Sequence, residues 1–522
     1  GWVASSVAMR VVVHQLKGEN VMLEVMPHTT IRDLKGQLKA LQVCSDELTR
    51  LMTQVEIILE DEILVDDDET VSEAGISEDV ALQVVFSINP VECTCQEEAD
   101  CDDESLLVVQ IPSSTSEIPS LAFESCKSLV SVQLPDTVTC IGTEAFRDCS
   151  ALIDVNIPDS VSSIRQAAFM GCCTLKSLMI PDSVIFIGDS AFAKCSSLEH
   201  VRIPKELTEL RPLAFVDCES LVTVTLPDTL TAIGCVAFSG CSSLLQIHIP
   251  DAVEDVEGGA FKKCKSLANI NLPQGVTRIS GSCFRGCQSL TTMVIPEGVT
   301  VIEEHAFADC SFLKDVNIPK GITELGPGAF KSCHSLIAVT LPNSITSMDG
   351  DVFAGCCSLQ SVNIPKSLLR LRAGTFSCCR SLQKVRIPEN VTTIEARAFQ
   401  DCTSLTSVFI PSTVTCIEVA AFAGCKSLQR IYIPGALLRI QERSFAGCFS
   451  LESVYVPRTV QRIEAKAFRN CNSLTRLTVQ DSLISIHAEA FSGCSLTSVA
   501  VHPKTDVANT AFDPFTKVVT KG

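Results

Sequence analysis

Aromatic residues other than phenylalanine are almost missing. The chain has one Trp and two Tyr in 522 residues, against 24 Phe. No stretch of 18 apolar residues occurs, although 46% of the chain is apolar, so no segment reads as a membrane span. Basic charge is scarce at the start, where residues 1–110 hold 6 Lys+Arg against 23 Asp+Glu. The remaining residues hold 35 against 38, and the whole chain has a net charge of −20. Such a chain lacks the basic field that neutralises phosphates, which excludes a general affinity for DNA or RNA. The eight His include no H-E-x-x-H or similar metal spacing. No glycine-rich phosphate loop occurs, and no Ser or Cys nucleophile has a base placed beside it. The sequence thus points away from an enzyme and implies no cofactor and no metal.

What is present is a repeat. A Phe stands at 123, 146 and 169, and then every 23 residues to Phe491, in 17 copies without a slip. Three residues after each comes a Cys, from Cys126 to Cys494. A fixed period in this range predicts a solenoid. One period reads Ala145-Phe146, Cys149, Leu152, Val155, Ile157-Pro158, Val161, Ile164. Val155 and Ile157 alternate with polar residues, as a strand with one buried face requires. Pro158 cannot donate to a ladder and ends the strand. Val161 and Ile164 are expected to point inward from the opposite wall. Gly142, Gly188 and Gly234 suit a tight corner.

Seventeen of the 28 Cys occupy one repeat position, which makes them a packing choice rather than a disulfide framework. A buried thiol is a compact apolar group with a weak donor. Read this way, the cysteines imply a reducing compartment. Cys172-Cys173, Cys356-Cys357 and Cys378-Cys379 are vicinal pairs whose second member is expected to fall off the buried column. Cys93, Cys95 and Cys101 lie in the acidic run 88–105, which reads as a linker or cap and not as a metal site.

Residues 9–87 have another pattern. Val11-Val12-Val13 and Val21–Val25 read as a hairpin, and Ile31, Leu34, Leu38 and Leu41 fall at helical spacing behind Thr30 as N-cap. Further strands are read at 50–52, 57–59 and 82–86. Together with the quoted stretches MRVVVHQLKG, TIRDLKGQL and ALQVVF, this order resembles ubiquitin-like domains, and implies an α+β β-grasp fold. Carried over by position, the family's apolar patch would be Leu16, Met52 and Val85, which makes ubiquitin-recognising proteins candidate partners. Phe86-Ser87-Ile88-Asn89-Pro90 stands where a diglycine tail would, so a non-conjugating module is expected.

The 23-residue pattern L-x-x-V-x-I-P-x-x-V-x-x-I-x-x-x-A-F-x-x-C resembles the BspA-like, or Treponema-type, leucine-rich repeats. The resemblance implies a β-rich solenoid over 106–522 with a parallel sheet on its concave side. At a strand spacing of about 4.8 Å, the 17 coils would span about 80 Å. The period breaks near the end, and a C-terminal cap is expected from about 497.

Sheet positions eight and ten after each Phe should face the concave opening. Most are small or polar, but toward the C-terminus stand Lys384, Arg386, Phe409, Arg430, Tyr432, Tyr455 and Arg476. Phe409, Tyr432 and Tyr455 share one offset in consecutive coils, so they should form a stripe. Aromatics beside Arg are the composition of interface hot spots, and an acidic protein or peptide is the natural ligand. The expectation is a binding scaffold in the cytoplasm or nucleus. The alternative is an adhesion protein, secreted or on the cell surface, which the repeat resemblance implies in microbes.

Overall fold

A computed structural model describes residues 108–520 in full. Before them it describes the backbone of strands β1 (Met9–His14), β2 (Asn20–Val25), β3 (Gln54–Leu59), β4 (Glu62–Leu64) and β5 (Leu82–Ser87), and of the pair Val91–Glu92. The chain divides into two compact units.

In the first unit, β1 to β5 form one sheet in the order β2-β1-β5-β3-β4. β1 pairs antiparallel with β2, with Val11 opposite Leu23. It pairs parallel with β5, where Val13 meets Leu82. β3 runs antiparallel to both β5 and β4. The expected helix from Thr30, and the patch residues Leu16 and Met52, lie outside the described residues. Val85 is on β5, but its side chain is not among those described. Val108–Gln110 and Ser131–Gln133 pair in parallel in the same unit.

The second unit is the solenoid. Each coil carries two short parallel ladders. The first uses strands of two or three residues, such as His200–Arg202 and Thr223–Thr225, in register His200–Thr223 and Val201–Val224. Its middle residue is buried and its outer two face out, as at Asp154–Asn156. The second ladder was not foreseen as a sheet. It is made of two-residue strands such as Cys140–Ile141 and Ser163–Ile164, paired Ile141–Ile164 and Ile164–Ile187. Among the described residues no helix is long and apolar enough to cross a membrane.

Between the ladders lies the Phe column. From Phe123 to Phe491 every ring is at most 1% exposed. Neighbouring rings stack with centroids 5.1–5.8 Å apart and planes within 2–15°. That spacing falls in the favourable range for offset aromatic pairs. The column has one member more than the 17 counted by period. Phe512 stacks on Phe491 at 5.1 Å, although it comes 21 residues later. The residues read as a cap therefore extend the stack by a ring. Asp513 then closes it by accepting the Gly493 N–H at 2.8 Å.

The Cys column lies beside the rings. From Cys149 to Cys494, each column thiol donates to the carbonyl of the Phe in the preceding coil, as Cys149 does to Phe123 at 3.0 Å and Cys310 to Phe284 at 3.1 Å. The same carbonyl also accepts the backbone N–H of the Cys in its own coil. Both lone pairs of that buried carbonyl are thus used, so it is not left orphaned in the core.

The Phe turn carries an unusual backbone. Residues two before and two after each Phe lie in the left-handed region, and most are not glycine: Leu213 has φ 61°, Val236 60° and Lys263 62°. Left-handed geometry is disfavoured for any residue with a Cβ, most of all a β-branched one. The neighbouring coil compels it. Leu213, Phe215 and Asp217 donate their N–H groups to the carbonyls of Cys235, Ala237 and Ser239 at 2.7–2.9 Å. Alternate N–H groups must aim along the stack, and surrounding bonds over-determine the strained angle.

Candidate partner-binding surface

The first ladder turns every second side chain outward, and these side chains form the candidate surface. Near the C-terminus it carries the residues singled out from the sequence. Lys384 and Arg386 flank buried Val385 and both are exposed. In register, Arg386 stands opposite Phe409, and its guanidinium carbon lies 5.1 Å from that ring's centre. A cation over an aromatic face at this range is attracted by the ring quadrupole. Arg430 pairs with Ser453, which sets Tyr432 and Tyr455 level in adjacent coils. Ser453 in turn pairs with Arg476 and Tyr455 with Thr478. Phe409, Tyr432 and Tyr455 are 51%, 66% and 55% exposed. The structure thus brings all seven residues onto one face, across five consecutive coils.

No Asp or Glu lies within ion-pair distance of Lys384, Arg386, Arg430 or Arg476 among the described residues. The surrounding segment adds to this field. Residues 366–476 hold 16 Lys+Arg against 7 Asp+Glu, in a chain whose net charge is −20. Counting the repeats as one block hides this, because the first coils carry the compensating acids. A count in windows of a few coils reveals it.

A second feature of the same ladder was missed by sequence reasoning. A cavity of about 730 Å³ opens over Thr225, His248, Asn271 and Val294. These are the tenth residues after four successive Phe, and Val294 is 74% exposed. Nearby, Asn271 reaches across to bond the Ile249 backbone, with Nδ2 3.2 Å from its carbonyl. Asn363 does the same to Leu341, accepting its N–H at 2.8 Å and donating to its carbonyl at 2.7 Å. These two Asn are strand staples. His200 is held too, with Nδ1 2.8 Å from the Thr223 hydroxyl. Among the described residues, no three His, Cys, Asp or Glu side chains meet in a way that could hold a metal ion.

The thiols are chemically quiet. Burial pushes the Cys310 and Cys448 thiols up to about 12, and Cys218 and Cys333 well above their ordinary value. A thiol that stays protonated is neither a nucleophile nor readily oxidised. The inference of a reducing compartment therefore loses its basis, since a sealed column survives in either environment. The vicinal pairs need one correction. Cys173 and Cys357 are the members off the column, but in the third pair it is the first, Cys378, because Cys379 keeps the register three residues after Phe376.

The repeat sequence is one known from other proteins. The profile of the BspA type leucine rich repeat region matches residues 100–222, 213–337, 323–450 and 395–518. Among solved structures, a leucine-rich repeat protein from Bacteroides ovatus is 26% identical, with 80% of this chain and 92% of that one covered and a TM-score of 0.46. A leucine rich cell surface protein from Faecalibacterium prausnitzii is 30% identical over 62% of this chain and 86% of its own, with a TM-score of 0.40. A leucine-rich repeat protein from Eubacterium ventriosum is 20% identical over 80% and 91%, with a TM-score of 0.40. Among curated proteins none matches.

Proposed function

We propose that this chain, which belongs to the BspA-type leucine-rich repeat family, is a non-enzymatic scaffold that holds an acidic protein or peptide on its first ladder. The observation that carries the reading is the group of four cations with no Asp or Glu in ion-pair distance among the described residues, around three exposed aromatics. Unpaired like charges side by side cost energy in the free protein, and an acidic ligand removes that cost. The rings supply the area that desolvates the contact. Tyr432→Ala with Tyr455→Ala should abolish partner capture in a pull-down while leaving the melting temperature nearly unchanged. Capture equal to that of the unaltered protein would show that the stripe is not the site.

Two finer parts belong to the same reading. The N-terminal unit would be a β-grasp module that engages ubiquitin-recognising proteins through Leu16, Met52 and Val85. The strand order with β1 and β5 parallel at its centre supports this. For location, the repeat family supports a role at the cell surface, as an adhesion protein, over the cytoplasm or nucleus. Protease treatment of intact cells tests it: loss of the solenoid places it outside, and full protection places it within.

A further inference from the structure

Apart from the first ladder, the molecule has a second charged feature. After Phe261 the chain reads Lys262-Lys263-Cys264-Lys265, and Arg285 follows in the next coil. The repeats act as their own reference here. Lys263 takes a position that holds Asp148, Asp217, Asp309 and Asp401 in four other coils and a lysine, Lys194, in one. Lys265 stands where Ser150, Ser196, Ser242 and Ser311 do, and where Lys127, Arg380 and Lys426 do; only after Phe261 are all three positions around the Cys lysine. Neither change serves the core, since both side chains are exposed and the buried Phe and Cys beside them are unaltered.

These side chains line one cavity of about 660 Å³, together with Asp309 and His334. Asp309 is the sole acid in that lining, and Arg285 Nε holds its carboxylate at 3.2 Å. Lys262, Lys263 and Lys265 have no acidic partner within ion-pair distance among the described residues. His334 Nδ1 lies 2.9 Å from the Gly355 carbonyl, so it donates there, and Nε2 is left for another partner. Three unopposed ammonium groups within one coil repel each other.

We infer that this cavity is an anion site for a ligand bearing sulfate or phosphate monoesters. Such groups offer three terminal oxygens, with about two negative charges on a phosphate monoester and one on each sulfate monoester, so one phosphate or two or more sulfates on one ligand match the compact ammonium groups. The volume exceeds that of a single oxyanion and lies in the usual range for small-molecule sites. A lone carboxylate would leave most of the positive charge unopposed. The site is independent of the aromatic stripe, because it uses other repeat positions in other coils.

The test is calorimetric titration of the full chain with two probes, the phosphate monoester fructose 1,6-bisphosphate and a sulfated tetrasaccharide. At least one should bind, and its affinity should fall as salt is raised. The probe that binds tells phosphate from sulfate. Lys263→Gln with Lys265→Gln should weaken binding at least tenfold at an unchanged melting temperature, and Lys265→Arg should keep most of it. Lys320→Gln, an exposed lysine elsewhere, should leave it unaltered. Binding of neither probe, undiminished affinity in the double variant, or an equal loss in Lys320→Gln would overturn the inference.

Discussion

The carboxylate of Asp148 occupies the space where a side chain on Gly171, one coil later, would begin. A Cβ built on Gly171 would collide with Asp148 Oδ1 and come within 3.2 Å of Cγ. The same relation joins Asp217 with Gly240, Asp401 with Gly424, and Asn470 with Gly493. One Asp breaks the rule and explains it. Asp309 is followed by Ser332, and its carboxylate is drawn to Arg285 in the preceding coil, away from the position above.

Gly171→Ala should therefore cost about 1–3 kcal/mol, a steric clash added to the strain of a φ of 78°. Gly286→Ala serves as comparison. Its φ is 76°, but the nearest atom to a built Cβ is 3.7 Å away, on Lys263. It should lose about 1 kcal/mol, for backbone strain alone. Denaturant titration of the two variants measures the difference.

The buried thiols predict an alkaline limit to stability. Their folded pKa values are raised above the ordinary 9.0, to about 12 at Cys310, chiefly because burial penalises the thiolate. A raised folded pKa gives stability that is fully present below pH 9 and is lost as pH rises toward 12. Unfolding should become steeply pH-dependent above about pH 9. Replacing Cys310 and Cys448 with Ala should flatten that slope and lower stability at neutral pH. Melting temperatures taken from pH 7 to 11 follow both effects.

At the acid end one group is identified. Arg202 and Lys205 hold the Asp182 carboxylate at about 2, below its ordinary 3.8. A depressed folded pKa gives stability that is present above pH 3.8 and is lost as pH falls toward 2. Asp182→Asn should remove that dependence while changing neutral-pH stability little, since the pair is exposed and screened. Acid titrations of the two proteins, monitored by far-UV signal, compare the slopes.

Thiol counting separates sealed from open cysteines. With a thiol reagent at neutral pH, Cys173 and Cys235 should react promptly among the described residues, because they are the exposed ones. The column from Cys126 to Cys494 should react only after denaturation. Prompt reaction of the column would contradict its burial.

The sequence made the Phe and Cys columns legible because each occupies one position with one residue type. The first ladder was legible for the same reason, through Val155, Ile157 and Pro158. The left-handed turn positions were not, because bonds to the next coil impose them, on residues as unlike as Leu213, Val236 and His305. Nor was the second ladder, whose two-residue strands are too short for an alternating pattern. The seven surface residues could be placed by counting from each Phe. Their missing counter-charges could not, because pairing such as Asp309 with Arg285 depends on which way a side chain turns.

Selection of ligands from a random peptide library tests the central claim most directly. Peptides retained by the unaltered protein should be rich in Asp and Glu beside an apolar anchor. They should no longer be retained when Arg386, Arg430, Tyr432 and Tyr455 are replaced by Ala. Peptides of neutral or basic composition, or retention that survives the replacement, would contradict it.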